Sequence, residues 1–164
     1  MRRLLNKLLR KEEIRRGDGT IYLNRWTLFR GKSKLWRFLG LHDVRLYIHK
    51  FTESDHTKCL HDHPNTLISF IFRNGYSEEY LDHKDQETKT QVFRAPCLRK
   101  FPASHAHRVT LLDGKPAWSL VLMLPKKREW GFFVTQPAHT GGKRRRWIHW
   151  REYEDEYGGK GGCD

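Results

Sequence analysis

From residue 20 onward, apolar and polar residues alternate with a period of two, the spacing of a half-buried β-strand. The clearest run is 44–51, where Val44, Leu46 and Ile48 interleave with Arg45, Tyr47 and His49. Further strands are expected at 21–29, 59–63, 66–72, 76–81, 88–93, 98–101, 108–112, 118–124 and 131–135. Turn chemistry separates them. Asn74-Gly75 is the pair preferred in tight hairpin turns, 83–87 is a polar connection, Asp113-Gly114 is a turn, and Pro125 ends the run before it. Residues 31–40 read as a basic loop or short helix around Trp36. Ahead of the strands, Leu4, Leu5, Leu8 and Leu9 recur at helical spacing among Arg and Lys, which predicts a basic amphipathic helix over 2–14. Past Pro137 the chain turns to Gly, Arg and acidic residues and reads as a tail, with Trp147, Ile148 and Trp150 available to fold back.

Many short strands at close spacing, with no helical pattern between them, predict an all-β sandwich or barrel and not a parallel α/β sheet. The expected organisation is a basic helix at 1–16, a β-barrel at 20–137 and a basic, then acidic and Gly-rich, tail at 138–164. A length of 164 residues suits one domain, and an aromatic share of 13% argues against disorder. No apolar run approaches the roughly 20 residues of a membrane span, and the first residues lack the apolar stretch of a signal peptide. The expectation is a soluble, cytoplasmic protein with no transmembrane segment. Cys59, Cys97 and Cys163 are odd in number and widely spaced, which reads as reduced thiols, with Cys163 inert.

Lys and Arg number 32 against 19 Asp and Glu, a net charge of +13 that attracts polyanions. The excess gathers at both ends of the chain, so a contact with nucleic acid or another polyanion is expected through residues 1–16 and 143–151, the alternative being solvated ends. No helix-turn-helix, zinc-finger or RNP signature accompanies it, and neither a G-x-S-x-G elbow nor a phosphate loop is present.

The chemistry lies in the histidines. Two close pairs, His61-Asp62-His63 and His105-Ala106-His107, each open a predicted strand. Residues two apart on a strand share a face, so His61 and His63 can project together, and a third imidazole from a neighbouring strand completes a set for a divalent cation. Asp62 then points away. Tyr76 and Glu79, on the strand after Gly75, are candidate pocket groups, as is His105; Glu78 is expected to face the other way. Arg73, Arg94 and Arg108 are candidates for pairing with an anionic substrate.

Over roughly residues 44–124 these motifs resemble the cupins. His61 and His63 take the H-x-H places, Gly75 the closing glycine, Pro102 the proline of the second motif and His107 its metal-ligand histidine. Ile68 stands where the carboxylate ligand would be, Asp55 and Pro96 replace glycines, Ser104 another, and Leu111 the final Asn. The resemblance implies a jelly-roll barrel, that is, a double-stranded β-helix. With Ile68 in the acid's place, it is similar to the three-histidine subset that includes the thiol dioxygenases. That likeness implies His61, His63 and His107 as ligands of Fe(II), with Zn, Mn or Ni as alternatives, and a dioxygenase acting on a small anionic or thiol substrate. Two other readings stay open: a Zn or Mn isomerase or hydrolase of a small anion or sugar, and a non-catalytic binding protein whose basic ends meet a polyanion. Pairing as a homodimer is a further implication of the likeness.

Overall fold

In the computed structural model, which describes residues 10–16, 18–32, 34–82, 87–137, 143–158 and 162–163, the alternating stretches become twelve strands. They are β1 (Arg10–Arg15), β2 (Ile21–Arg30), β3 (Arg45–Phe51), β4 (Leu60–His61), β5 (Asn65–Arg73) and β6 (Gly75–Leu81), followed by β7 (Thr88–Arg94), β8 (Cys97–Phe101), β9 (His107–Leu111), β10 (Ala117–Lys126), β11 (Gly131–Pro137) and β12 (Lys143–His149). Two short helices join them, α1 (Lys34–Phe38) and α2 (Trp150–Tyr157). The strands pair antiparallel into two six-stranded sheets, ordered β1-β2-β3-β10-β5-β8 and β12-β11-β4-β9-β6-β7.

Period two decides which side chains lie between the sheets. Along β5, Leu67, Ser69 and Ile71 are buried, while Phe70 and Phe72 face solvent. Ile71 and Ala117 of the first sheet meet Tyr76, Val109 and Leu111 of the second, and Leu67, Phe101 and Val121 form a neighbouring cluster. The outer face of the first sheet is also apolar. Cross-strand register lines up Trp26, Ile48, Leu120, Phe70 and Leu98 in one row over five strands.

Asn74-Gly75 does not close a hairpin. β5 and β6 belong to different sheets, and the pair turns the corner between them. Asn74 adopts a left-handed conformation (φ 57°), and its side-chain amide donates to the Pro116 carbonyl at 2.7 Å. Gly75 runs so close to β7 that a Cβ there would lie 2.1 Å from the Phe93 carbonyl oxygen.

Both chain ends differ from the expected helix and tail. Arg10–Arg15 is an edge strand, its Ile14 opposite Leu23. The rest of the expected N-terminal helix, residues 1–9, lies outside the described residues. The helical leucine spacing stops at Leu9; Glu12 and Ile14 alternate with exposed neighbours, a strand pattern. At the other end, β12 pairs with β11 along its whole length, and α2 follows directly. Ile148 and Tyr153 are buried against Cys59, Phe132 and Val134. The domain therefore continues to the end of α2, beyond the expected limit at residue 137. His149 caps α2, its Nδ1 accepting from the Arg151 N–H at 3.3 Å, and Gly158 ends it in a left-handed turn.

Cys59 and Cys163 are joined in a disulfide, against the expectation of reduced thiols; Cys97 is a free thiol. Spacing along the chain did not reveal a pair separated by 104 residues. Among the described residues, no helix is long and apolar enough to cross a membrane.

Candidate metal centre

β4 has only two residues, yet it places the first histidine. His61 stands directly opposite His107 on β9 and Phe132 on β11. His63 lies beyond the strand and is brought back by its own N–H, which donates to the Ala103 carbonyl at 3.0 Å. Between them Asp62 is turned the other way and fully buried. Its carboxylate accepts from the Gly131 N–H at 2.8 Å and from Trp147 Nε1 at 3.1 Å, with Arg128 at 3.1 Å. Burial raises the Asp62 pKa, and these bonds only partly oppose it. The loop is thus pinned to β11 and β12, at longer range than a local Asx turn. Asn65 adds a bond to the Leu124 carbonyl at 2.7 Å.

The result is a convergent trio. Ring centroids are 5.3 Å apart for His61 and His63, 5.1 Å for His61 and His107, and 4.9 Å for His63 and His107. One ligand nitrogen from each lies within 4.8 Å of the others. His63 Nε2 and His107 Nε2 approach to 2.7 Å, one imidazole donating to the other. Burial holds His61 down to about 4, and burial with the neighbouring imidazoles holds His63 well below its ordinary 6.5. Neutral imidazoles are what a borderline divalent cation requires, so the donor set fits a metal.

Behind His107 stands Glu78, with no exposed surface. Glu78 Oε2 is 3.1 Å from His107 Nδ1, an ion-pair distance at which the ring N–H does not align as a regular hydrogen bond and finds no other acceptor. Glu78 Oε1 contacts His105 Nε2 at 2.7 Å, and both carboxylate oxygens accept from Arg99, at 2.5 and 2.7 Å. Burial would raise the Glu78 pKa, but the bonds from His105 and Arg99 and the nearby His107 ring together outweigh it and hold it far below the usual carboxylate range. Glu78, His105 and His107 form a second group with metal-ligand spacing. Arg99 already neutralises its only acid, so the three-histidine group is the better cation site.

The trio opens onto an interior cavity of about 190 Å³, lined also by Tyr22, Arg25, His49, Asp55, Ser69 and Ser119 with an apolar wall of Leu67, Phe101, Val121 and Met123. Arg25 Nε donates to His49 Nε2 at 3.0 Å, and its guanidinium lies 4.7 Å from the Tyr47 ring centre. Burial, then Arg25, holds His49 well below its ordinary value. Tyr22 donates to Asp55, which also accepts from the Val109 N–H.

Of the other sequence-derived candidates, Tyr76 lines the cavity and the rest lie elsewhere. Tyr76 is buried on the cavity wall, its hydroxyl accepting from Arg99 at 2.9 Å, and burial lifts its pKa to about 12. His105 sits behind the trio, in the Glu78 network. Glu79 is on the opposite face of β6, paired with Arg108 at 2.9 and 2.6 Å. Arg73 and Arg94 are exposed at strand ends, and Arg108 faces outward with Glu79, so none of the three lines the cavity. Ile68 points away from the trio, and Leu67 and Ser69 are the residues of that strand on the cavity wall. Neither Leu67 nor Ile68 can supply a carboxylate ligand. Sequence reasoning missed Glu78, Arg99, Arg25 and His49.

No protein-family model and no curated protein sequence matches the chain. Solved structures do. A cupin-2 domain from Rhodospirillum rubrum superposes with a TM-score of 0.54 at 10% identity, over 81% of this chain and 78% of that one. FeII HppE gives 0.53 at 12% identity, over 73% of this chain and 58% of its own. Oxalate decarboxylase from Lactobacillus farciminis, in a formate complex, gives 0.52 at 14%, over 77% of this chain and 33% of its own. The chain therefore spans little more than half of HppE and a third of the decarboxylase. At such identities the likeness establishes architecture: the two sheets form a cupin jelly roll.

Proposed function

We propose that this chain is a metal-dependent cupin enzyme in which His61, His63 and His107 hold Fe(II), and that it adds dioxygen to a small anionic or thiol-bearing substrate. The observation that carries this reading is the convergence of three imidazoles, one buried and two half-buried, on the wall of a cavity that also contains Arg25. Three neutral ligands leave the cation's charge uncompensated, which favours anionic ligands in its open positions. Arg25 offers a second positive group to the same ligand, through the planar fork that suits a carboxylate. Bound there, Fe(II) supplies Lewis acidity and a meeting point for dioxygen and substrate. The chain's own residues do the rest. Glu78 and Arg99 orient His107 so that Nε2 faces the cavity. Leu67, Phe101, Val121 and Met123 keep water away from the ligand. The cavity volume of about 190 Å³ limits the substrate to a few heavy atoms.

The test is elemental analysis of anaerobically purified protein beside His61→Ala and His107→Ala variants, followed by oxygen uptake with small carboxylates and thiols. Iron near one atom per chain, lost in both variants, with substrate-dependent oxygen uptake, is the expected result. Zinc without oxygen uptake would overturn the dioxygenase assignment in favour of hydrolytic or isomerising chemistry. No metal at all would remove the enzyme reading.

A further inference from the structure

The connection from β2 to β3 has an unusual surface. Residues 31–42 contain Lys32, Lys34 and Arg37 and no Asp or Glu. Three of their large apolar side chains point outward: Phe38 is 86% exposed, Leu39 52% and Leu41 40%. Leu28, at the bulge of β2 beside them, is 38% exposed. The three basic residues are exposed as well.

The segment cannot bury these side chains by folding back, because its base is fixed. Gly31 and Val44 close it, the Gly31 N–H donating to the Val44 carbonyl at 2.9 Å and the Asp43 N–H to the Gly31 carbonyl at 3.1 Å. A Cβ at Gly31 would meet the Leu41 carbonyl oxygen at 2.1 Å, so the two limbs touch. Trp36 anchors the inner side edge-on against Phe29, with centroids 4.8 Å apart, and its carbonyl accepts from the Leu41 N–H at 2.8 Å. Fixing this side leaves Phe38, Leu39 and Leu41 on the outer side.

Exposed apolar side chains beside exposed cations in one short segment are the pattern of a membrane-surface contact: the apolar groups enter the boundary between headgroups and acyl chains, and the basic ones meet lipid phosphates. The net charge of +13 adds long-range attraction to an anionic surface. A protein partner fits less well. A stable interface takes about 800 Å² from each side, and the few exposed apolar side chains of this one connection offer far less. We propose that residues 31–42 dock the protein on anionic lipid bilayers, with Phe38, Leu39 and Leu41 inserted and Lys32, Lys34 and Arg37 on the phosphates.

Co-sedimentation of the full chain with vesicles tests this, using phosphatidylcholine alone or mixed with phosphatidylglycerol. The expected result is binding to the mixed vesicles, little to the neutral ones, and a loss of at least about tenfold in the Phe38→Ser/Leu39→Ser variant, which keeps every charge. Lys34→Glu/Arg37→Glu, in equally exposed positions, is expected to lose binding to a similar degree. Circular dichroism checks that both variants are folded. Failure to bind mixed vesicles at low salt, equal binding to neutral ones, or unchanged binding by either variant overturns the proposal.

Discussion

Glu78 is the residue on which the geometry of the site turns. It joins Arg99, His105 and His107, and lies against the ring nitrogen of His107 opposite the one that meets His63. A carboxylate in this place fixes the tautomer and orientation of a metal-bound imidazole. Glu78→Gln is therefore expected to weaken metal affinity by about 10–100-fold, measured by chelator competition. Glu78→Ala would cost about 3–5 kcal/mol in urea unfolding, because Arg99 is left buried without its partner. The sequence contained enough to find Glu78. Tyr76 and Glu79 cannot share a face of one strand, so placing Tyr76 in the pocket puts Glu78 beside it and Glu79 outside. Arg25 was less visible, since its inward position depends on the pairing of β2 with β3. The buried histidines also set a pH dependence. His49, His61 and His63 are neutral in the fold, their pKa values depressed below 6.5. Unfolding lets each take up a proton near pH 6.5, so their stabilisation is complete above that pH and is lost as pH falls toward the folded values, about 4 for His61. Metal-free protein is expected to lose stability as pH falls from about 6.5 toward 4, and His49→Phe should flatten the slope seen in denaturant titrations.

Among the elements, β12 and α2 depart furthest from expectation. The Arg-rich run at 143–146 looks like a solvated tail, and the side chains of Arg144, Arg145 and Arg146 are exposed. Its backbone nevertheless completes a sheet, and the apolar groups that follow close a core. Tyr153 lies 4.0 Å, centroid to centroid, from Phe132, which is the ladder partner of His61. Tyr153→Ala is expected to cost about 3–5 kcal/mol, and ending the chain after residue 142 should cost more, both read from urea midpoints. The strands themselves were legible because alternation is a local property. The two-sheet partition was not, since Asn74-Gly75 carries the same local signal whether it closes a hairpin or turns a corner. The disulfide was equally hidden. Crosslinking over 104 residues removes much freedom from the unfolded chain, so Cys163→Ser is expected to lower stability by about 2–4 kcal/mol.

For the whole molecule, the barrel and the histidine trio were legible together, because a short motif pair and a strand count point to one architecture. What no local pattern reveals is which outer surface is left bare, since that depends on how strands from distant parts of the chain line up. The row of Trp26, Ile48, Leu120, Phe70 and Leu98 contains such a surface, with Phe70 and Leu98 exposed and the other three half-buried. Two copies that met there would each gain, yet each carries +13 charges that push the other away. Colloidal stability then rests on repulsion, which reaches only about 10 Å at 0.1 M salt and about 3 Å at 1 M. Dynamic light scattering should record particle size growing as sodium chloride is raised, the reverse of ordinary salting-in, and Phe70→Lys should suppress that growth.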